Sequence, residues 1–230
     1  MGRNVSFNRP DGKDVQGYLA KPKQPDTAPG VVVLQEWWGV NDQIRGVADR
    51  FAEAGYVALV PDLYRGKSTV EAAEAEHLMT QLDFADAAGQ DVRGAAQYLK
   101  SRCAKVGVTG FCMGGALTLL TAVNVPEVDA AVAWYGFPPL EYIDASKIKI
   151  PLLGHYALDD VPFPIAVVDK LESMLREAKV QFEFHRYPAQ HAFANETQVG
   201  ANKLPITEYH PESAALAWTR TLGFFDRHLR

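Results

Sequence analysis

The feature that most constrains this chain is its alternation of short apolar runs with amphipathic stretches of helical period. Val31–Gln35 follows Pro29-Gly30 without a polar interruption until its last residue. Such a run reads as a strand buried on both faces, because a strand covered on one face only alternates apolar and polar residues. A helix is expected from about Asp42 to Ala54, with Ile44, Val47, Ala48 and Phe51 on one face and Gly55 as its stop. Tyr56–Val60 predicts the next strand, ended by Pro61-Asp62. Helical stretches around Val70–Leu82 and Ala85–Lys100, a strand at Lys105–Phe111 and a helix at Gly114–Val123 follow. Val128–Trp134, Ile150–Tyr156 and Val180–Tyr187 predict three more strands, with a helix at Ile165–Ala178 and a terminal amphipathic helix from Glu212 to Leu229. Ahead of all these, Val5–Asn8 and Val15–Ala20 flank Asp11-Gly12, a hairpin signal. Strands that alternate with helices need crossover connections, so the expected fold class is α/β: a mostly parallel sheet with helices on both faces. Without repeats, charge runs or a linker-like shift in composition, the sequence predicts a single domain over residues 1–230.

Composition narrows the function. At 47% hydrophobic and 22% charged residues, the 230-residue chain is neither disordered nor short of core. A net charge of −5 argues against nucleic acid as a partner, since neutralising phosphates takes clustered Lys and Arg. The longest apolar runs are a few residues, far below the ~18 of a membrane span, so no membrane partner is expected. Cys103 and Cys112 cannot build a disulfide framework, and MGRNVSFNRPDG lacks the apolar core of a signal peptide; both point to the cytoplasm. Met1-Gly2 with Ser6 fits the loose spelling of a myristoylation site, a pattern too short to carry weight. His, Cys and Asp nowhere cluster at ligand spacing, so neither a metal nor another cofactor is expected.

The chemistry concentrates at the carboxyl ends of the predicted strands, where ligands bind in open α/β sheets. Gly110-Phe111-Cys112-Met113-Gly114 has the spacing of a nucleophile elbow, with cysteine in the place of serine. The turn is so tight that side chains two residues before and two after the nucleophile would meet neighbouring backbone. The helix opening behind it favours a thiolate. Cys103 has no such frame. A base is expected downstream, with a carboxylate between the two in sequence. Of the six histidines, His191 in Tyr187-Pro-Ala-Gln-His-Ala-Phe lies in a loop after the last strand. His155 is inside a strand, and His185 alternates within one. Asp159 and Asp160 both emerge at a strand end; one can cap the following turn while the other holds His191. Glu36, followed by Trp37 and Trp38 at another strand end, is an unusual acid for a plain surface loop. That same loop supplies one oxyanion-hole amide in such folds, here Trp37, and the residue after the nucleophile, Met113, supplies the other.

Taken together, Gln35-Glu-Trp-Trp-Gly-Val-Asn, Pro61-Asp-Leu-Tyr, Gly110-Phe-Cys-Met-Gly-Gly, Gly154–Pro164 and Tyr187-Pro-Ala-Gln-His-Ala-Phe-Ala resemble the dienelactone hydrolase (carboxymethylenebutenolidase) family. The resemblance implies an α/β-hydrolase fold with no large lid and a Cys112–Asp160–His191 triad. Asp160 is preferred to Asp159 because the family loop carries a proline four residues after its aspartate, matched here by Pro164. It further implies that Glu36 contacts the resting thiol and that Tyr135 belongs to the pocket. Trp38 and Phe111 join Tyr135 as expected substrate-binding residues. Two arginines that hold the dienelactone carboxylate in the family are missing: this chain has Ala72-Ala-Glu-Ala-Glu76 in place of one and Asn195 in place of the other.

The expected function is therefore cofactor-independent hydrolysis of a small-molecule ester or lactone; the substrate is expected to be neutral, unless Arg65 or Lys67 supplies the missing cation. The expected state is a monomer or weak homodimer. The competing readings are a redox-sensing or catalytically idle protein that uses Cys112 as an oxidisable thiol, and an esterase for phosphotriester-type substrates.

Overall fold

The structure is a computed structural model and describes residues 2–230; Met1 of the myristoylation spelling lies outside them. Eight strands form one sheet: β1 (Arg3–Asn8), β2 (Asp14–Ala20), β3 (Gly30–Leu34), β4 (Val57–Pro61), β5 (Val106–Phe111), β6 (Ala130–Trp134), β7 (Leu152–Asp159) and β8 (Phe182–Gln190). Their spatial order is β1-β2-β4-β3-β5-β6-β7-β8. The β1–β2 hairpin turns at Gly12, and β2 runs antiparallel to both of its neighbours; every other pair is parallel. β3, β4, β5 and β6 are buried along their whole length, as their unbroken apolar runs require.

Helices cover both faces. Helices α1 (Asp42–Glu53) and α7 (Pro211–Leu229) pack Ile44, Val47, Phe51, Phe224 and Phe225 against one side. On the other side lie α4 (Arg93–Lys100), α5 (Met113–Asn124) and α6 (Ile165–Glu177), with Leu99, Leu117, Leu171 and Leu175 in the core. The remaining helices are α2 (Ala72–Gln81) and the single turn α3 (Phe84–Asp86), whose first amides donate to the Asp83 carboxylate. No helix among the described residues is long and apolar enough to cross a membrane.

Two departures from the sequence reading matter for the site. The helix expected over Ala85–Lys100 is interrupted by a π-helical stretch, Ala87–Val92. The widening coincides with Asp91, which is buried and accepts hydrogen bonds from Arg65 at 2.9 Å and Arg9 at 3.1 Å. In addition, β7 and β8 outrun their expected ends by three residues, because their pairing continues past a register shift to join Asp159 to Gln190.

Candidate active site

Strand register assembles the site. Leu34 pairs with Gly110, Phe111 with Trp134, and Asp159 with Gln190. Residues just beyond these pairs therefore emerge together at one edge of the sheet: Glu36 after β3, Cys112 after β5, Tyr135 after β6, Asp160 after β7 and His191 after β8. The backbone is forced there. Cys112, Tyr135 and Ala192 have φ of 54°, 35° and 59°, in the half of conformational space that side chains disfavour. The flanking glycines of the elbow are required by contact: a Cβ on Gly110 would overlap the Gly114 carbonyl, and one on Gly114 would lie 2.6 Å from the Leu34 oxygen.

Cys112, His191 and Asp160 form a continuous chain. His191 Nε2 is 3.2 Å from Cys112 Sγ, and His191 Nδ1 is 2.8 Å from Asp160 Oδ2. Asp160 also accepts the Phe163 amide on Oδ1 at 2.8 Å, so this one residue both caps the turn and orients the ring. Asp159, one residue earlier, is exposed. Burial alone would lower the basicity of His191, but the adjoining Cys112 sulfur and the Asp160 carboxylate outweigh it and push the imidazole up to about 10. Phe163 stacks on the same ring at 5.4 Å between centroids, and Tyr135 meets it edge-on at 5.3 Å.

The amides of Trp37 and Met113 have no protein acceptor among the described residues; the second is the first N–H of α5 and so is free by construction. Tyr64 Oη lies 3.2 Å from Met113 Sδ, fixing the Met113 side chain beside the elbow.

Glu36 departs from expectation. It does not bond the thiol; instead its carboxylate accepts Tyr135 Oη at 3.1 Å and Asn195 Nδ2 at 2.8 Å. The reason is local: both donors are fully buried beside it, and a buried carboxylate binds the donors that satisfy it. Burial nonetheless raises the Glu36 carboxyl above the usual carboxylate range, and burial together with Glu36 holds the Tyr135 hydroxyl well above its ordinary value. Asn195, which the sequence offered only as a missing arginine, is the partner of Glu36.

A cavity of about 720 Å³ opens in front of Cys112. Glu36, Trp37, Trp38, Cys112, Met113 and His191 line it. Phe111 and Tyr135 do not. Phe111 stacks on Trp134 at 5.0 Å in the core layer beneath α1 and α7, because its parity on β5 turns it away from the cavity. Tyr135 is committed to Glu36. Among the described residues no Lys or Arg lines the cavity. Arg65 is held by both carboxylate oxygens of Asp91 and by the Asp62 carbonyl, and Lys67 does not reach the wall. Of the other histidines, His155 is fully buried between Tyr187 Oη and Thr221 Oγ1, at 2.8 and 2.9 Å, and burial keeps it uncharged. Sequence reasoning missed Phe163, whose only signal was an aromatic between two prolines after Asp160.

The fold and the class of site define an α/β-hydrolase, an enzyme acting on ester bonds. The chain belongs to the dienelactone hydrolase family, whose profile matches residues 15–229. It is 36% identical to "Protein usf" of Aquifex pyrophilus, with all of both chains covered. Among solved structures it is similar to a "Putative Dienelactone Hydrolase" from Klebsiella pneumoniae, at 30% identity and a TM-score of 0.83, covering 99% of this chain and 100% of that one. A dienelactone hydrolase-like promiscuous phosphotriesterase from metagenomic libraries shares the fold at 23% identity and a TM-score of 0.87, covering 100% of this chain and 99% of that one.

Proposed function

We propose that this protein is a cysteine-nucleophile hydrolase of neutral esters or lactones, acting through Cys112, His191 and Asp160 as a single domain over residues 1–230. One observation carries the reading: the unbroken Sγ–Nε2 and Nδ1–Oδ2 chain, at 3.2 and 2.8 Å, ends at the floor of an apolar cavity. His191 holds the proton of Cys112, leaving a thiolate at the helix N-terminus. The sulfur attacks the ester carbonyl and a C–S bond forms. The oxyanion is met by the amides of Trp37 and Met113. As the oxyanion collapses, the C–O bond breaks and His191 Nε2 gives its proton to the departing alkoxide. A water then attacks the thioester while His191 takes its proton; the C–S bond breaks and the acid leaves. Asp160 holds the ring with Nδ1 protonated through both halves.

Among the described residues no Lys or Arg lines the cavity, and the one cationic ring, His191, is already paired with Cys112 and Asp160; this supports a neutral substrate, since a buried carboxylate needs a paired charge of its own. Glu36 acts as a positioning residue that fixes Tyr135 against the His191 ring. The reading includes a cytoplasmic protein, monomeric or weakly dimeric, in keeping with two unpaired cysteines. Turnover of a chromogenic ester tests it: Cys112→Ala should lower kcat by at least ~10³-fold, whereas Cys103→Ala should leave it unchanged. Near-native turnover by the Cys112 variant would reject the nucleophile.

A further inference from the structure

The cavity does not stop at the reacting sulfur. Helix α5 presents Met113, Ala116, Leu120 and Asn124 to it, at spacings of three and four that make one stripe of a helix. At 1.5 Å per residue, the axis advances about 16 Å from Met113 to Asn124. The void therefore follows α5 for about three turns away from Cys112. Phe84, Ala88, Phe137 and Pro139 line the same void. Along α5 the polar side chains have partners: Asn124 donates to the Leu120 carbonyl at 2.9 Å, and Asp83 Oδ1 caps α3. Water beside Ala116, Leu120, Phe84 and Phe137 finds few partners, whereas methylene groups entering there leave water behind.

We infer that the channel along α5 holds one elongated apolar substituent of the ester, and that the side chains at Ala116 and Leu120 are small enough to let it pass at two depths. This rests on the reading that Cys112 attacks an ester. An extended alkyl chain advances ~1.3 Å per carbon, so the channel takes roughly eight to twelve carbons. Ala116 is the smallest side chain of the stripe, about 4.5 Å along the axis from Met113, and Leu120 is about 10.5 Å along it. A bulky residue at either position closes the channel at a different depth. The two depths differ by about 6 Å, or about five carbons.

Methyl alkyl ketones of increasing length test this without turnover, because they carry the carbonyl and the chain but no leaving group. Binding is read from the fluorescence of Trp37 and Trp38, which line the cavity. In the native protein, affinity should tighten about two- to fourfold per methylene and then level off at roughly eight to twelve carbons. Ala116→Phe should bring the plateau to the shortest chains, and Leu120→Trp should place it about five carbons further out. Should one variant fail to fold, the other still shifts the plateau. Affinity indifferent to chain length, or a plateau that neither variant moves, overturns the channel. The nucleophile stands or falls separately, on the turnover of Cys112→Ala.

Discussion

Replacing Asp160 with Asn changes one oxygen to an amide nitrogen and keeps the side-chain shape. Asp160 has two jobs, each at 2.8 Å: Oδ1 accepts the Phe163 amide and Oδ2 accepts from His191 Nδ1. The Asn oxygen retains the turn, which leaves its NH2 facing Nδ1. Nδ1 must then accept, so the ring proton moves to Nε2, opposite Cys112 Sγ, where a proton acceptor is needed. The lost charge-assisted hydrogen bond is worth about 1.5–3 kcal/mol, and the forced tautomer adds to it. Together they place the loss at about 3–5 kcal/mol, or 10²–10⁴ in kcat. The His191 ring, held at about 10 in the native protein by Cys112 and Asp160 against burial, should titrate lower in the variant. Steady-state turnover of a p-nitrophenyl ester, NMR titration of His191 and circular dichroism report the three effects. Asp159→Asn is the control, because Asp159 is exposed and should be nearly silent. Retention of kcat within tenfold by Asp160→Asn, or an equal loss in Asp159→Asn, would refute the reasoning.

A neutral methyl ester should be turned over with at least ~10-fold higher kcat/KM than the analogue carrying a free carboxylate, since no Lys or Arg among the described residues lines the cavity and His191 is already paired; preference for the anion, abolished by Arg65→Ala or Lys67→Ala, would reverse that conclusion. Glu36→Gln should gain stability over the native protein as pH rises. The folded Glu36 carboxyl titrates above its unfolded value of 4.5, so between the two the native state binds more protons and loses up to ~1.4 kcal/mol per pH unit, a loss the neutral side chain escapes. Thermal melts at pH values on both sides of 4.5 check this, and a difference between the proteins that stays constant with pH would contradict it.

Much of this architecture is legible in the chain because local signals agree with the fold. Apolar runs such as Val31–Leu34 become fully buried strands, and Asn41 caps α1 by accepting the Ile44 amide at 3.1 Å. Gly110 and Gly114 mark the elbow because backbone approaches their α-carbons. What stays hidden is long-range. Residue chemistry by itself leaves Asp159 and Asp160 open, and only the family spacing to Pro164 singles out Asp160, because the partner that separates them, His191, lies 31 residues further on. Phe111 misleads because its neighbour in sequence is the nucleophile, yet strand parity sends it to the opposite layer. The cavity stripe of α5 is masked because Met113 through Ala122 are all buried, so hydrophobic periodicity does not single out a face. The bond between Asn195 and Glu36 spans 159 residues of sequence and has no local signal at all.

The most direct test of the account is to find where the acyl group goes. Native protein mixed with excess p-nitrophenyl ester and quenched in acid should show, by intact mass and peptide mapping, one added acyl group on the peptide that contains Cys112. The adduct should be missing from Cys112→Ala and should accumulate in His191→Gln if any acylation occurs there, because that ring activates the water of the second step. An adduct on another residue, or full turnover with Cys112 removed, would contradict the account.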